Sequence, residues 1–230
     1  VTALLLPLAF GRSSIWVSFG LLLALWIVAS SAVNLWDRVK NAASGASVVA
    51  RLAGTPRAYY GMLLAHVGVA VFVVGVTLVK GYESVKDVRM SAGVTEQVGG
   101  YTFRFEGVED VTGSNYVAAR ATITAMKDGK RVVVMHPEKR MYASQESPMT
   151  EAAIDPGFTR DLYVSLGDPI DSKTWIVRLQ HKPFVWWIWG GCVLMALGGL
   201  LAAGDRRYRV EARRQSIEKL AARDATAAGF

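Results

Sequence analysis

Polar and apolar positions fall into two regimes along the chain. Three windows, 13–36, 58–79 and 183–204, contain no Asp, Glu, Lys or Arg, and each is 22 to 24 residues long. A helix needs about 20 apolar residues to cross roughly 30 Å of hydrocarbon, so each window predicts a membrane-spanning helix. Between the second and third windows the period changes. The run 101–106 (YTFRFE) alternates aromatic and polar residues, and 175–179 (WIVRL) does the same. A period of two marks a half-buried strand. The runs 115–126 (NYVAARATITAM), 131–135 (RVVVM) and 162–166 (LYVSL) add further strands. Asp128-Gly129 separates two of them, and that pair is a strong hairpin signal. Six to eight short strands over about 100 residues predict a small antiparallel barrel or sandwich.

The expected fold is therefore membrane α-helical with an inserted all-β extracytoplasmic domain. The predicted order is an end of a preceding helix and an outer turn (1–12), a span (13–36), a cytoplasmic loop (37–57) and a second span (58–80). The β-domain (81–182), a third span (183–204) and a cytoplasmic tail (205–230) follow. Residues 1–10 (VTALLLPLAF) are apolar but too short to span, and no basic segment precedes them. They read as the end of an earlier helix, not as a signal peptide.

Charge orients this arrangement. The chain of 230 residues has a net charge of +7. The segment 80–182 is balanced, and the basic excess lies in 37–57 and in the tail. Flanking basic segments of this kind belong on the cytoplasmic side. The excess is thus a topology signal, and nucleic acid is not an expected partner. The tail reads as a solvated helix. The single cysteine, Cys192, lies within a span, allows no intrachain disulfide and is assigned no role. Trp186, Trp187 and Trp189 read as an interfacial aromatic belt.

Of three histidines, His66 stands out. It lies near the middle of the second span, about 4 Å from the helix centre at 1.5 Å per residue. An imidazole in hydrocarbon costs several kcal/mol unless its nitrogens are satisfied, and ionisable groups there are usually functional. A ring of this kind relays protons, ligates iron or simply bonds a neighbouring helix. Gly61, Gly68 and Gly75 recur every seven residues and form a smooth stripe for close helix packing. Gly68 is about 200° around the helix from His66, so packing and imidazole use different faces. A bis-histidine site needs a second histidine, and the other two spans have none. His136 and His181 read as isolated surface histidines. The sequence has no P-loop, CxxC, nucleophile elbow or HExxH.

Several runs carry a family resemblance. They are 59–68 (YYGMLLAHVG), 137–142 (PEKRMY), 149–154 (MTEAAI), 160–167 (RDLYVSLG), 183–191 (PFVWWIWGG) and 205–209 (DRRYR). In this order they resemble the C-terminal part of the cytochrome c-type biogenesis proteins of the CcmF family. The resemblance implies a haem lyase subunit that receives haem from the chaperone CcmE. With CcmH and CcmI it would attach haem to apocytochrome c in the bacterial inner membrane, the β-domain being periplasmic. It implies a b-type haem (haem b) within the membrane, with His66 as one axial iron ligand, and a role in reducing the incoming haem iron. The family's tryptophan-rich haem-docking segment, the first transmembrane ligand and two periplasmic histidines are not in this stretch, so no catalytic residue is assigned. The fragment alone is not expected to catalyse ligation. Two alternatives remain at this stage: a non-catalytic assembly scaffold with a partner-binding β-domain, and a transporter fragment using His66 as a proton relay.

Overall fold

The computed structural model describes residues 14–40, 47–145 and 147–205. The expectations for 1–12 and for the tail beyond Asp205 lie outside the described residues. Helix α1 is Ile15–Lys40, α2 is Val48–Ala53, and α3 is Arg57–Tyr82. Ten strands follow: β1 Ser84–Met90, β2 Thr95–Val98, β3 Tyr101–Thr112, β4 Tyr116–Lys127, β5 Lys130–Met135, β6 Glu138–Tyr142, β7 Met149–Glu151, β8 Ala153–Asp155, β9 Arg160–Pro169 and β10 Trp175–Pro183. Helix α4, Val185–Ala203, closes the described part. Helices α1, α3 and α4 are each long and apolar enough to cross a membrane, with mean hydropathies of 2.0, 2.5 and 1.8. The helix of α1 outlasts its charge-free window, because Asp37, Arg38 and Lys40 prolong it without breaking backbone hydrogen bonding.

The chain divides into two compact units, one comprising Val1–Ser18 and Gly75–Ile188, the other Phe19–Val74 and Trp189–Phe230. In the first, two antiparallel sheets make a sandwich. One sheet has the order β1-β10-β9-β8. The other runs β2-β3-β4-β6-β7, with β5 also paired to β4. The two extra strands relative to the expected upper count come from β7 and β8, three residues each, too short to show a period. The Asp128-Gly129 turn has positive φ at both residues, 51° and 73°. It joins β4 to β5 with Lys127 opposite Lys130, as a two-residue type I′ hairpin demands.

The alternation seen in sequence builds the core. Phe103 and Phe105 of β3 point inward opposite Ala125 and Ile123 of β4, so bulky rings face smaller partners. Leu162, Val164 and Leu166 of β9 meet Val177 and Leu179 of β10 in the same core, all fully buried. A register shift between Phe105 and Gly107 re-phases β3 and carries Val108 to the inner face beside Ala121. Such bulges re-aim a strand without ending it.

One charged group is buried on the six-stranded sheet. Glu138 is 5% exposed and accepts hydrogen bonds from Arg120 Nε at 2.6 Å and Arg140 Nε at 2.7 Å. Arg140 also lies 4.5 Å over the Tyr116 ring and donates to the Tyr142 hydroxyl. Burial pushes the Glu138 carboxyl up, but the two guanidinium groups outweigh it and hold the carboxyl below its ordinary 4.5. A lowered native value means that the stabilisation is complete above pH 4.5 and is lost as pH falls through the native value. Glu138→Gln keeps the shape but offers one acceptor oxygen where two guanidinium groups each need one. One charge-assisted bond, worth about 1.5–3 kcal/mol, is lost and an NH2 group faces a cation. The variant is expected to melt several degrees lower and to lose that acid-side dependence, as read by thermal unfolding at pH 7 and pH 3.5.

Candidate functional site

The helix carrying His66 is set by its ends and by one face. Pro56 precedes α3, a position where a missing N–H costs nothing. Asp205, arriving from the end of α4, accepts a hydrogen bond from the Ala58 N–H at 3.0 Å through Oδ2. A carboxylate there satisfies an orphan donor and complements the helix dipole. On α1, the Asn34 Oδ1 accepts from the Tyr59 hydroxyl at 2.6 Å, and the Arg38 guanidinium lies 4.5 Å over the Tyr59 ring. Arg51 of α2 donates to the Val39 carbonyl at 2.9 Å, near the end of α1.

The glycine stripe decides which face of α3 is covered. A Cβ on Gly61 would lie 2.5 Å from the Gly198 carbonyl oxygen, and one on Gly68 would lie 2.7 Å from the Met195 nitrogen. A Cβ on Gly198 would in turn meet the Gly61 oxygen at 2.5 Å, and one on Gly191 the Gly68 oxygen at 2.7 Å. The expectation from Gly61 and Gly68 is thus met by a partner stripe on α4. The sequence reading missed Gly191 and Gly198, although their own spacing of seven signals them. Two glycine-lined faces let the backbones approach closely, as in membrane helix pairs.

His66 lies on a different side of α3, where Gly68 is buried and His66 exposed. Its Nδ1 is 2.8 Å from the Met62 carbonyl oxygen. A carbonyl only accepts, so in this contact Nδ1 carries the proton and donates. In the neutral ring the lone pair is then on Nε2. No group of three or more His, Cys, Asp or Glu able to hold a metal occurs among the described residues. A lone imidazole would supply only one of two axial ligands to a haem iron, the second coming from elsewhere. The residues present fit one side of a haem site: an Nε2 lone pair, with Nδ1–H on a backbone carbonyl as metal-ligating histidines arrange it.

The other two histidines separate. His136 is exposed, its Nδ1 3.3 Å from the Thr122 hydroxyl, as expected of a surface residue. His181 is not a surface residue. It is half-buried on β10, its ring stacks on Tyr101 at 5.7 Å and 28°, and its Nδ1 is buried with no hydrogen-bond partner among the described residues. Glycine at 99 (φ 58°) leaves room for it, since a Cβ there would lie 2.4 Å from the imidazole. The alternating run read from the sequence, 175–179, stops short of His181; the observed β10 continues to Pro183 and carries His181 on its inward side. Burial pushes the imidazole below its ordinary 6.5, and the nearby Arg160 and Lys127 cations push the same way. A lowered histidine value contributes stability that is present above pH 6.5 and is lost as pH falls through the native value. Between pH 7.5 and 5 the thermal midpoint is expected to fall, and His181→Phe is expected to flatten that slope.

Near the start of α4, Trp186 is exposed and Trp187 half-buried. Trp187 packs on Phe184 and Phe158 with centroids 5.4 and 5.9 Å apart. Cys192 is a free thiol on the same helix.

Three spanning-length helices with an antiparallel sandwich inserted before the last define a polytopic membrane protein with a sizeable domain outside the bilayer. Residues 81–183 match the CcmF C-terminal beta-sandwich. The chain is 46% identical over 199 residues to the cytochrome c-type biogenesis protein CcmF of Pseudomonas aeruginosa, covering 86% of this chain and 30% of that protein. It is 43% identical over 210 residues to CcmF of Escherichia coli, covering 91% and 31%. A solved structure described as cytochrome c heme lyase CcmF superimposes with a TM-score of 0.65 at 24% identity, over 87% of this chain and 33% of that one. The chain belongs to the CcmF family and corresponds to its C-terminal part. It spans about a third of the length of the relatives it matches.

Proposed function

We propose that this chain forms the C-terminal part of a haem lyase for cytochrome c maturation and supplies one axial ligand, His66, to a transmembrane b-type haem. One observation carries the reading: the Nδ1–H of His66 is held by its own helix, at the Met62 carbonyl, leaving the Nε2 lone pair for iron. The family relationship supports the wider role. Such a protein sits in the bacterial inner membrane with its β-sandwich in the periplasm. It takes haem from the chaperone CcmE and, with CcmH and CcmI, delivers it to apocytochrome c.

The haem iron, when bound, supplies one-electron chemistry whose potential depends on axial ligands and burial. The chain's own contribution is positional. The Met62 carbonyl fixes the tautomer and ring orientation of His66, and an acceptor on Nδ1 raises the basicity of Nε2. The Gly61–Gly68 stripe commits the opposite face of α3 to α4, so the imidazole is presented on the uncommitted side. Asp205 and Tyr59 hold the N-terminal end of α3 in place. The reading is tested by reduced-minus-oxidised spectra of the full-length protein and of His66→Ala.

A further inference from the structure

The loop Pro156–Thr159, between β8 and β9, carries a feature the haem reading does not use. Phe158 is 74% exposed, a large ring left outside the sandwich core. Yet the loop is held. The Gly157 N–H donates to Asp161 Oδ1 at 3.0 Å, and Asp161 is itself 3% exposed. The Phe184 N–H donates to the Thr159 carbonyl at 3.0 Å. Arg160 donates to the Asp155 carbonyl, also at 3.0 Å, and pairs with its carboxylate. Both flanks of Phe158 are thus fixed, and the ring is presented outward.

What it is presented beside is informative. Phe158 touches Trp187, in the first turn of the spanning helix α4, and Trp187 touches Phe184. Trp186, next in that turn, is 51% exposed. Lys182 lies just before this turn, its ammonium 4.9 Å over the Tyr163 ring. Aromatic rings at the end of an apolar span, flanked by a cation, are the composition of the headgroup–hydrocarbon boundary. The exposed patch is continuous with a surface that the span itself commits to lipid.

We propose that the β8–β9 loop is a membrane-interface anchor, with Phe158 inserted beside Trp186 and Trp187 at the boundary between phospholipid headgroups and acyl chains. The partner is the bilayer, not a protein. The anchor adds a third attachment of the sandwich to the membrane, beyond its two covalent links through α3 and α4.

The test uses spin labels in the full-length protein reconstituted in phosphatidylethanolamine–phosphatidylglycerol nanodiscs, with Cys192 and every cysteine outside this stretch replaced by alanine as background. Labels are placed at Phe158→Cys and at Ser172→Cys, an exposed residue of the β9–β10 hairpin at the other end of β9. Collision with oxygen reports hydrocarbon, and collision with a water-soluble nickel chelate reports solvent. The ratio of oxygen to nickel collisions at 158 is expected to exceed that at 172 several-fold. Thr159→Cys, also exposed, repeats the measurement with Phe158 intact. Equal ratios at 158, 159 and 172 would place the loop in water and overturn the proposal. Shielding of 158 and 159 from both collision partners would show a protein surface covering the loop, and would overturn it equally.

Discussion

His66→Ala in the full-length protein is expected to lose the b-type haem absorbance, with residual haem at least tenfold below wild type. The size follows from the chemistry of axial ligation. Changing only the outer hydrogen-bond partner of a metal-bound histidine costs about 10–100-fold in affinity or activity, and removing the ligand itself costs no less. Alanine leaves no donor atom at this position. Of the residues one turn away on α3, Met62, Leu63, Val69 and Ala70, only Met62 carries a donor, a thioether softer and weaker than imidazole. Added imidazole is expected to restore part of the signal by occupying the vacated position. His136→Ala and His181→Ala serve as controls. One is exposed against Thr122 and the other is enclosed against Tyr101, and neither should change haem content. Wild-type haem content in His66→Ala would remove the ligand assignment and favour the scaffold reading.

The second large effect concerns the helix pair that presents His66. Gly68→Leu is expected to abolish stable accumulation of the protein, or to lower its thermal midpoint in detergent by many degrees. The first added carbon already lies 2.7 Å from the Met195 nitrogen and 2.8 Å from the Gly191 oxygen. Both are backbone atoms on a helix, so no side-chain rotation relieves the overlap and the helices must separate. Overpacking typically costs about 1–3 kcal/mol, and a clash with backbone belongs at the upper end. Gly199→Leu is the contrast. A Cβ on Gly199 meets nothing within 4 Å, although it adjoins Gly198 in sequence, and the variant should keep its midpoint. Equal losses in both variants would show that helix propensity, not close approach, explains the glycines.

The helical and β regions were legible because their periods are set by local rules. A run without charges long enough to cross hydrocarbon leaves little choice but a helix, since every backbone group must be satisfied internally. The alternation of 101–106 and the Asp128-Gly129 pair predicted strand and turn for the same local reason, as positive φ at both turn residues is cheap for those two. The haem-ligand candidate was also visible early, because one imidazole in an apolar window has no ordinary explanation.

Other features depend on partners distant in sequence. Gly191 and Gly198 have meaning only against Gly68 and Gly61. Asp205 looks like the start of a charged tail until its carboxylate is found on the Ala58 N–H. His181 and His136 are alike in sequence. They part because β10 turns His181 inward against Tyr101, Arg160 and Lys127, while His136 stays at the surface beside Thr122. Glu138, one acid among a balanced set, becomes the buried centre of an arginine pair through the register of β4 with β6. Sequence alone determined the three spans, most of the inserted strands, the Asp128-Gly129 hairpin and the singular position of His66, because each follows from a local pattern or from the cost of polarity in hydrocarbon. Only the tertiary structure decided how the strands divide between two sheets, which face of α3 packs, and which histidine is enclosed. Those outcomes rest on contacts between residues far apart in the chain, which no local pattern encodes.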